Sequence, residues 1–362
     1  MPAELQNRVR AVRESRGLSQ VELARLAGLS RQALSAIESG RYLPNTAVAL
    51  RLAGAMGCAV EELFATPAPS TVKVRLAEDA PAHRVRLGRV RSQLVAWPLW
   101  GSSAPVPSDG AVAGRAGRLA TVDLFSGSAV AEQTVFLGGC DPALRIAAAL
   151  AESSGSVRAH WIPANSVRAL GALRDGLVHV AGTHLHPPGD PEGVQTIRRT
   201  LGRKPAVVVS VSRWVEGVML RPGIRIRGPE DLLQRGVRVV NRDPGSGSRL
   251  VLDQWLGGAG VPAESLDGYR RELSSHLAVA EAITGGLADA GPGVLPVALL
   301  YGLEFLPLAE QRYDLVIPQD LTDTAPVRIL MDVFTGRRFR EELKAIGGYD
   351  PAPAGVVRGL AT

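Results

Sequence analysis

The chain has 362 residues, 46% of them hydrophobic, with 25 prolines and a net charge of +6. This length accommodates two or three domains, and no apolar run reaches the roughly 18 residues that a membrane-spanning helix needs. The first predicted helix begins so early that a signal peptide is not expected. Cys58 and Cys140 lie far apart in sequence, which argues against a disulfide framework. We therefore expect a soluble, cytoplasmic protein.

Positive charge is concentrated in the first third of the chain. Residues 1–65 carry a net charge of +2, residues 66–130 carry +4, and the remainder is neutral. Nucleic acids attract positive charge. The distribution therefore agrees with a DNA partner for the N-terminal part.

Residues 18–40 predict two short helices joined by a sharp turn. The stretch from Gln20 to Ala27 spaces its apolar residues by three and four, as on one face of a helix. Gly28 tolerates the backbone of a tight turn, and Ser30 is a typical helix N-cap. The polar residues that follow share an outer face near the start of the second helix, the end that reads bases in a helix-turn-helix.

The segment from about Leu5 to Phe64 resembles the phage-repressor-like (Cro/C1-type, XRE) helix-turn-helix family. The motifs are Leu18-Ser-Gln, Leu23-Ala24, Gly28-Leu29-Ser30, Ile37-Glu38-Ser-Gly40 and Pro44. The resemblance implies five helices, with phosphate contacts from one group of side chains and base contacts from another. Arginine and glutamine pair bidentately with guanine and adenine edges. The candidate DNA-binding residues are Gln20, Ser30, Arg31, Gln32, Ser35, Arg41, Asn45 and Thr46.

Several polar residues of this segment have a second interpretation. The outer face of the second helix is alternatively a solvated surface. Glu38 is better explained as the structural partner of an arginine than as a base contact. Two interpretations exist for Arg8, Arg10 and Arg13: they contact DNA phosphates, or they belong to an ordinary solvent-exposed helix face.

Residues 66–130 are predicted to form a linker and a small β-rich module. Thr66-Pro-Ala-Pro-Ser70 has the composition of a linker. The following segments, 72–76, 85–90, 94–99 and 119–124, are strand-like apolar stretches between turn residues, and the first two alternate apolar with basic residues, as half-buried strands do. The strand arginines Arg84, Arg86, Arg89 and Arg91 are interpreted as a solvated sheet face, with phosphate contact as the alternative.

From Gln133 onward, apolar strands alternate with helices, which indicates parallel α/β layers. Predicted strands include 134–138, 159–162, 178–181, 206–211, 215–220, 237–241 and 313–318. Predicted helices include 143–152, 229–234 and 250–256. Three strand-to-helix junctions, Gly139-Cys140-Asp141, Asn165-Ser166 and 244–248, leave backbone N–H groups that favour an anion, and Ser274-Ser275-His276 begins a fourth helix.

Each junction also has a structural interpretation. The Gly-Ser loop is alternatively a capped loop, Asn165 an ordinary N-cap, and Cys140 a small buried residue. His184 and His186 have the spacing of a metal pair on a strand, but no cysteine or carboxylate cluster accompanies them in sequence, so we predict no metal. No catalytic motif is found, and we predict neither catalytic residues nor a resident cofactor.

Residues from about Gln133 to Leu321 resemble the periplasmic-binding-protein-like domain that is found fused to helix-turn-helix modules and linked to molybdate uptake. The blocks that carry the resemblance are 139–144, 180–185, 241–249, 275–280, 288–291 and 312–318. It implies two lobes of type II, crossing segments near 187–210 and 300–316, and an oxyanion such as molybdate or tungstate between the lobes. Gly291-Pro-Gly293 departs from the pattern at one wall of the cleft. The candidate ligand-binding residues are Gly139, Cys140, Asp141, Asn165, Ser166, Thr183, His184, Arg242, Gly245, Ser246, Gly247, Ser248, Ser275, His276 and Asp289.

The expected architecture is multidomain. It comprises an all-α helix-turn-helix domain (1–65), a linker with a small β-rich module (66–130) and an α/β two-lobed sensing domain (131–362). The expected function is a homodimeric, non-enzymatic transcriptional regulator that binds double-stranded operator DNA and responds to a small anion. The alternatives are a repressor whose large domain only oligomerises, and an enzyme or binding protein of molybdenum-cofactor metabolism.

The recognition-helix prediction is tested by the double substitution Arg31→Ala with Gln32→Ala. Loss of both base-reading side chains should abolish sequence-specific operator binding in a gel-shift assay, because each bidentate pair contributes about 1–3 kcal/mol of discrimination. Binding of a ligand to the C-terminal domain should be unchanged. The substitutions Arg337→Ala with Arg338→Ala serve as a control for lost positive charge, and retained sequence preference in the test variant would contradict the prediction.

Overall fold

The computed structural model describes residues 6–65, 71–125, 127–185, 190, 193–202 and 204–360. The chain forms two compact units, Met1–Val72 with Thr121–Gly127, and Lys73–Ala120 with Ser128–Thr362. Most of the β-rich module thus belongs to the same unit as the α/β region. Within the described ranges, no helix is both long and apolar enough to cross a membrane.

The N-terminal unit is a small helical bundle. The predicted succession of helices is observed, together with a short antiparallel pair of strands that joins its two ends. Ser19 and Glu22 form a reciprocal capping box, while Ser30 and Asn45 each cap the helix that follows. Each such cap contributes about 1 kcal/mol. The elements are β1 (Gln6–Asn7), α1 (Val9–Ser15), α2 (Gln20–Leu26), α3 (Arg31–Glu38), α4 (Thr46–Met56), α5 (Val60–Leu63) and β2 (Phe64–Ala65).

A buried ion pair holds α1 against α3. The Arg13 Nε donates to a Glu38 carboxylate oxygen at 2.6 Å, and the Gln20 amide donates to the other oxygen at 2.8 Å. The Glu38 side chain is only 3% exposed. Glu38 is therefore the structural partner of an arginine, as predicted. Arg13 is buried in this contact and is unavailable to a phosphate, and the amide nitrogen of Gln20 is bound inside the protein.

The β-rich module is a closed barrel with strand order β3-β5-β4-β6-β7. Within it, Leu87 of β4 lies opposite Ala96 of β5, and both are fully buried. The Trp97 indole donates to the Leu177 carbonyl at 2.8 Å, which fastens the barrel to the α/β region. The barrel strands are β3 (Thr71–Leu76), β4 (Arg84–Val90), β5 (Gln93–Pro98), β6 (Gly110–Ala116) and β7 (Leu119–Leu124).

The strand arginines bind within the protein, and so do not form a free basic face. Arg86 is buried and pairs with Glu152 at 2.7 Å. Arg91 pairs with Asp320 at 2.5 Å, and Arg84 donates to two loop carbonyls. These contacts leave little support for the alternative that the barrel arginines reach phosphates.

The α/β region is built on a mixed sheet. In the described residues its order is β14-β11-β15-β10-β8-β9, and β16 and β17 add to β11. The strands and helices are β8 (Thr134–Gly139), α6 (Ala143–Glu152), β9 (Arg158–Pro163), α7 (Ser166–Arg174), β10 (Val180–Thr183), α8 (Val194–Leu201), β11 (Ala206–Leu220), β12 (Asn241–Arg242), α9 (Gly247–Gly258), β13 (Glu272–Leu273), α10 (His276–Thr284), β14 (Ala290–Val294), α11 (Leu295–Leu300), β15 (Glu304–Pro318), α12 (Ala325–Thr335), α13 (Arg337–Ile346), β16 (Tyr349–Asp350) and β17 (Val357–Leu360).

Two hydrophobic cores define two lobes of this region. The larger core includes Phe136, Leu144 and Leu315, and the smaller includes Leu220 and Leu256. The strands β11 and β15 pair along their whole length and pass from one core to the other. The two lobes are therefore joined by continuous strands, and the lobe boundary lies in the middle of each strand.

Some predicted elements differ in extent. The separate strands expected at 206–211 and 215–220 are one strand, because pairing with β15 continues through an irregularity between Ser210 and Ser212. The strand expected at 313–318 begins at 304 for the same reason, and the helix expected at 229–234 is a short 3-10 turn. The expected crossing segment at 187–210 lies partly outside the described residues.

The buried ion pair of the helical unit is expected to contribute strongly to its stability. Removing one partner leaves a buried uncompensated charge, which typically destabilises by about 3–5 kcal/mol. Glu38→Ala should therefore lower the thermal midpoint of this unit by at least about 10 °C in calorimetry. Glu14→Ala, which removes the exposed pair with Arg10, should change it far less. Equal midpoints for the two variants would contradict the assignment.

Candidate functional site

Three predicted ligand residues meet at the lobe boundary. Cys140 follows β8, His184 follows β10, and His276 is the first residue of α10. All three are buried, and their sulfur and ring nitrogen atoms lie within 4.8 Å of one another. The fold thus brings together residues that are 44 and 92 positions apart in the sequence. We refer to them as the Cys-His-His cluster.

Aromatic residues from the two long strands enclose this cluster. The Trp214 ring of β11 lies 5.4 Å from that of His184 and 6.0 Å from that of His276. The Tyr313 ring of β15 stacks on His184 at 6.0 Å. Trp214 and Tyr313 are almost completely buried. The site is therefore a buried, aromatic-walled space.

Two carboxylates are buried beside the cluster. Glu216 of β11 contacts the Nδ1 of His184. Burial opposes a charged imidazole, but the neighbouring Cys140 sulfur and Glu216 carboxylate outweigh it and raise the pKa of His184. Asp141 accepts a hydrogen bond from the Tyr349 hydroxyl at 2.7 Å. Burial raises the pKa of Asp141 to about 6, although the hydrogen bond from Tyr349 favours the ionised form.

Glycines allow these side chains to approach the backbone. A Cβ atom on Gly139 or Gly182 would lie 2.3 or 2.0 Å from the Tyr313 hydroxyl. A Cβ atom on Gly247 would lie 2.6 Å from the His184 ring. Such distances are well below van der Waals contact. Gly139 and Gly247 are therefore needed at these positions for close packing, as well as for turn formation.

The loop before α9 differs from the other junctions. Asn165 and Ser275 cap their own helices, and an Asp141 oxygen accepts from the N–H of Ala143 at the start of α6. Ser246 occupies the N-cap of α9, but its side chain makes no capping hydrogen bond. The N-terminus of α9 consequently keeps backbone donors that its own side chain does not satisfy.

Buried polar atoms without a partner concentrate around the cluster and this loop. Within the described residues, no hydrogen bond reaches Nε2 of His184, either ring nitrogen of His276, or Nη1 of Arg242. The hydroxyls of Ser246, Ser248 and Tyr313 also have no hydrogen-bond partner within these residues. Unpaired buried polar groups are costly and rare in native proteins. Their concentration here is typical of a site that is completed by a ligand.

The remaining predicted ligand residues lie near the cluster, with one exception. Ser166 Oγ accepts from the His184 N–H at 3.3 Å, and Gly245 packs near Asn165. Thr183 is buried at the end of β10. The exception is Asp289, which precedes β14.

Asp289 is bound to arginines rather than oriented toward the cluster. Arg238 and Arg221 donate to its carboxylate at 3.0 and 2.8 Å. The Arg238 hydrogen bond is the main cause that lowers the pKa of Asp289 to about 2. Its carboxylate is fully engaged in ion pairs at the beginning of β14, so it has a structural role. His186 lies outside the described residues.

The predicted base-reading residues are accessible in the helical unit. Arg31 and Gln32 are exposed at the start of α3, and Ser35 is half-buried on the same helix. Arg41 and Thr46 are exposed as well. Ser30 and Asn45 cap their helices, because their side-chain oxygens accept backbone hydrogen bonds. Their predicted DNA contacts would therefore involve the exposed atoms of each residue other than these oxygens.

Sequence reasoning missed residues that distant strands contribute. Trp214 and Glu216 of β11 and Tyr349 of β16 belong to no local motif, and Tyr313 of β15 lies in the block 312–318 but was not assigned to the site. The one available signal is Glu216, a charged residue within the apolar run Val215 to Leu220. Their participation depends on strand pairing over about 100 residues, which sequence spacing does not reveal.

A separate pocket of about 450 Å³ lies between the barrel and the first lobe. Trp97, Trp100 and Trp161 are among its lining residues, together with Arg168. It contains none of the Cys-His-His cluster. Because the unpaired polar groups are located at the lobe boundary, the cluster is the stronger candidate site.

Comparison with known proteins agrees with this architecture. The PBP superfamily domain matches residues 147–335, just over half of the chain, and a helix-turn-helix family matches residues 9–63. The fold and the site thus define a two-lobed binding domain joined to a DNA-binding module. The chain belongs to the PBP superfamily.

Individual relatives match different parts. Protein YvgK of Bacillus subtilis is 26% identical over 195 residues, which cover 53% of this chain and 63% of that protein. The HTH-type transcriptional regulator YgzD of Bacillus subtilis is 35% identical over 60 residues, 17% of this chain and 91% of that protein. Among solved structures, the alkanesulfonate-binding protein SsuA of Xanthomonas axonopodis pv. citri has a TM-score of 0.38 and 20% identity, covering 62% of this chain and 86% of that one.

The packing of Gly247 on His184 is tested by Gly247→Ala. The added methyl group would overpack the His184 ring, which typically destabilises by about 1–3 kcal/mol, so the urea midpoint of the larger unit should fall. Gly257→Ala on the same helix is the matched control, since its Cβ would meet nothing within 4 Å. That control should be neutral or stabilising. A Gly247→Ala variant as stable as the control would contradict the described packing.

Proposed function

We propose that the protein is a one-component transcriptional regulator whose two-lobed domain senses a small oxyanion such as molybdate or tungstate. The helix-turn-helix domain is proposed to bind operator DNA, and the PBP superfamily domain to bind the effector at the lobe boundary. The observation that carries the proposal is the set of buried, unsatisfied donors around the N-terminus of α9.

Arg242 supplies the positive charge of this anion site. Its guanidinium is completely buried and donates to the carbonyls of Leu273 and Ser274 at 3.2 and 3.1 Å. These contacts fix the guanidinium plane, while Nη1 has no partner among the described residues. A buried charge normally requires a partner of opposite sign. Among the described residues, Asp243 lies 3.5 Å from the Arg242 guanidinium and is partly exposed. An anion would complete the coordination.

The loop before α9 supplies neutral donors. The Ser246 and Ser248 hydroxyls are buried and unpaired within the described part of the chain. The first N–H groups of a helix point outward along its axis, and together with the helix dipole they favour an anion. α9 runs for 12 residues, so its dipole is well developed. Hydroxyl, amide and guanidinium donors together suit a compact oxyanion.

The position of the site suggests how binding is transmitted. The Cys140 and His184 side chains belong to the first lobe, and the Arg242 to Ser248 segment to the second. An anion that contacts both lobes would favour their closure. Such closure would change operator affinity by a coupling free energy of about 1–3 kcal/mol. We propose a homodimer, because one recognition helix reads only a half-site.

The oxyanion proposal is tested by calorimetry with molybdate, tungstate, sulfate and phosphate. We expect selective binding of molybdate and tungstate. The double substitution Ser246→Ala with Ser248→Ala should weaken that binding by at least about 100-fold, because two hydrogen bonds to a charged group contribute about 1.5–3 kcal/mol each. Ser265→Ala, an exposed serine of the same lobe, should leave it unchanged. Absence of heat with all four anions would overturn the oxyanion assignment.

A further inference from the structure

We propose that Cys140, His184 and His276 bind one divalent transition-metal ion of the Zn²⁺ class, with an open coordination position for a ligand. From sequence no metal is predicted, because no cysteine or carboxylate cluster accompanies the His184 and His186 pair. The fold places Cys140, His184 and His276 together. The inference does not depend on the oxyanion proposal, since it concerns different atoms of the same lobe boundary.

The chemistry of the three side chains fits such an ion. Thiolate and imidazole are the usual protein ligands of Zn²⁺, and a site with three protein ligands leaves a fourth position for water or substrate. Thiolate selects against hard ions such as Mg²⁺ and Ca²⁺, which prefer oxygen ligands. All three side chains are buried, so a bound ion would be shielded from solvent.

The geometry is close to that of a coordinated ion. Metal–ligand bonds of about 2.0–2.3 Å place the ligand atoms of a tetrahedral ion roughly 3.3–3.8 Å apart. The three atoms are now within 4.8 Å of one another. Inward movement by about 1 Å, which side-chain rotation supplies, would form the site. Within the described residues, neither ring nitrogen of His276 nor the Nε2 of His184 has a hydrogen-bond partner.

His184 has the supporting contact that metal-bound histidines usually have. Its Nδ1 faces the Glu216 carboxylate, which leaves Nε2 directed to other partners. A carboxylate that holds the second ring nitrogen orients a histidine ligand and raises its basicity. Glu216 is itself completely buried on β11. It therefore acts as a positioning residue for His184.

The buried carboxylates beside the cluster would also stabilise a cation. Glu216 and Asp141 are both completely buried carboxylates near the cluster. Arg242 is the nearby guanidinium, and it interacts electrostatically with His276. A dication at the cluster would compensate the buried carboxylates and a Cys140 thiolate. Its open position would adjoin the loop before α9, because Gly247 packs on the His184 ring.

The test uses the full-length chain after removal of metals with a chelator. Addition of Zn²⁺ alone, followed by dialysis and elemental analysis, should give one ion per chain. Co²⁺ in its place should give the visible bands of a tetrahedral site and a thiolate-to-cobalt charge-transfer band. Cys140→Ser and His276→Gln should each weaken Zn²⁺ binding by at least 100-fold. In the Co²⁺ spectrum, Cys140→Ser should remove the charge-transfer band and His276→Gln should alter the visible bands.

Matched controls separate specific binding from general effects. Cys58→Ser and His83→Gln change a cysteine and a histidine outside the cluster and should bind Zn²⁺ like the unaltered chain. Glu216→Gln should weaken binding by about 10- to 100-fold, as expected for a residue that orients a ligand. Circular dichroism of every variant establishes that it is folded. A folded Cys140→Ser variant that still binds Zn²⁺ with unchanged affinity would overturn the proposal, as would absence of stoichiometric binding by the unaltered chain.

The two proposals fail independently. Zn²⁺ binding without any response to molybdate or tungstate would retain the metal site and overturn the oxyanion. Molybdate binding by the metal-free chain, with no Zn²⁺ uptake, would retain the oxyanion and overturn the metal site. Molybdate binding only after Zn²⁺ is added would support both and place the anion at the open coordination position.

Discussion

The contact between Glu216 and His184 is the constraint on which the rest of the site depends. Glu216 lies on β11, opposite Ala309 of β15 and directly before an irregularity in the pairing of these two strands, which join the lobes. His184 comes from the first lobe, and Gly247 of the second lobe packs on its ring. One buried acid–imidazole contact thus connects a strand shared by both lobes with the end of β10 in the first lobe. It also keeps an ionisable pair in a buried space.

The architecture combines a DNA-binding helical unit with a domain in which several buried polar groups of the described residues have no hydrogen-bond partner. The helical unit satisfies its own polar groups through caps and the buried Arg13–Glu38 pair, which leaves Arg31 and Gln32 exposed on a fixed helix. The α/β region shows the opposite pattern at the lobe boundary, where donors and nitrogens are buried without partners in the described chain. This contrast is what a ligand-dependent DNA-binding protein needs. The helical unit would present a constant surface to DNA, and the free energy of the α/β region would change when a small molecule binds.

Structural features that depend on residues close together in the sequence can be predicted from local motifs. The turn at Gly28, the cap at Ser30 and the Gly-Ser loop before α9 are recognisable, because their chemistry lies within a few residues. Long-range pairing was not recognisable. Trp214, which lies opposite Gln311, and Tyr313, which lies opposite Ser212, come within ring contact near the site only because β11 and β15 pair. Asp289 shows the converse error: it was placed in the site by its position before a strand, whereas two arginines bind it at the strand's beginning.

The most direct test of the account is thermodynamic linkage between effector and operator. An operator fragment selected from random DNA by the full-length chain would be titrated by fluorescence anisotropy, with and without a saturating effector identified by calorimetry. Effector affinity would be measured with and without that DNA. The account predicts that each ligand changes the affinity of the other by the same factor, about 5- to 150-fold. Operator affinity that is unchanged at saturating effector would contradict it.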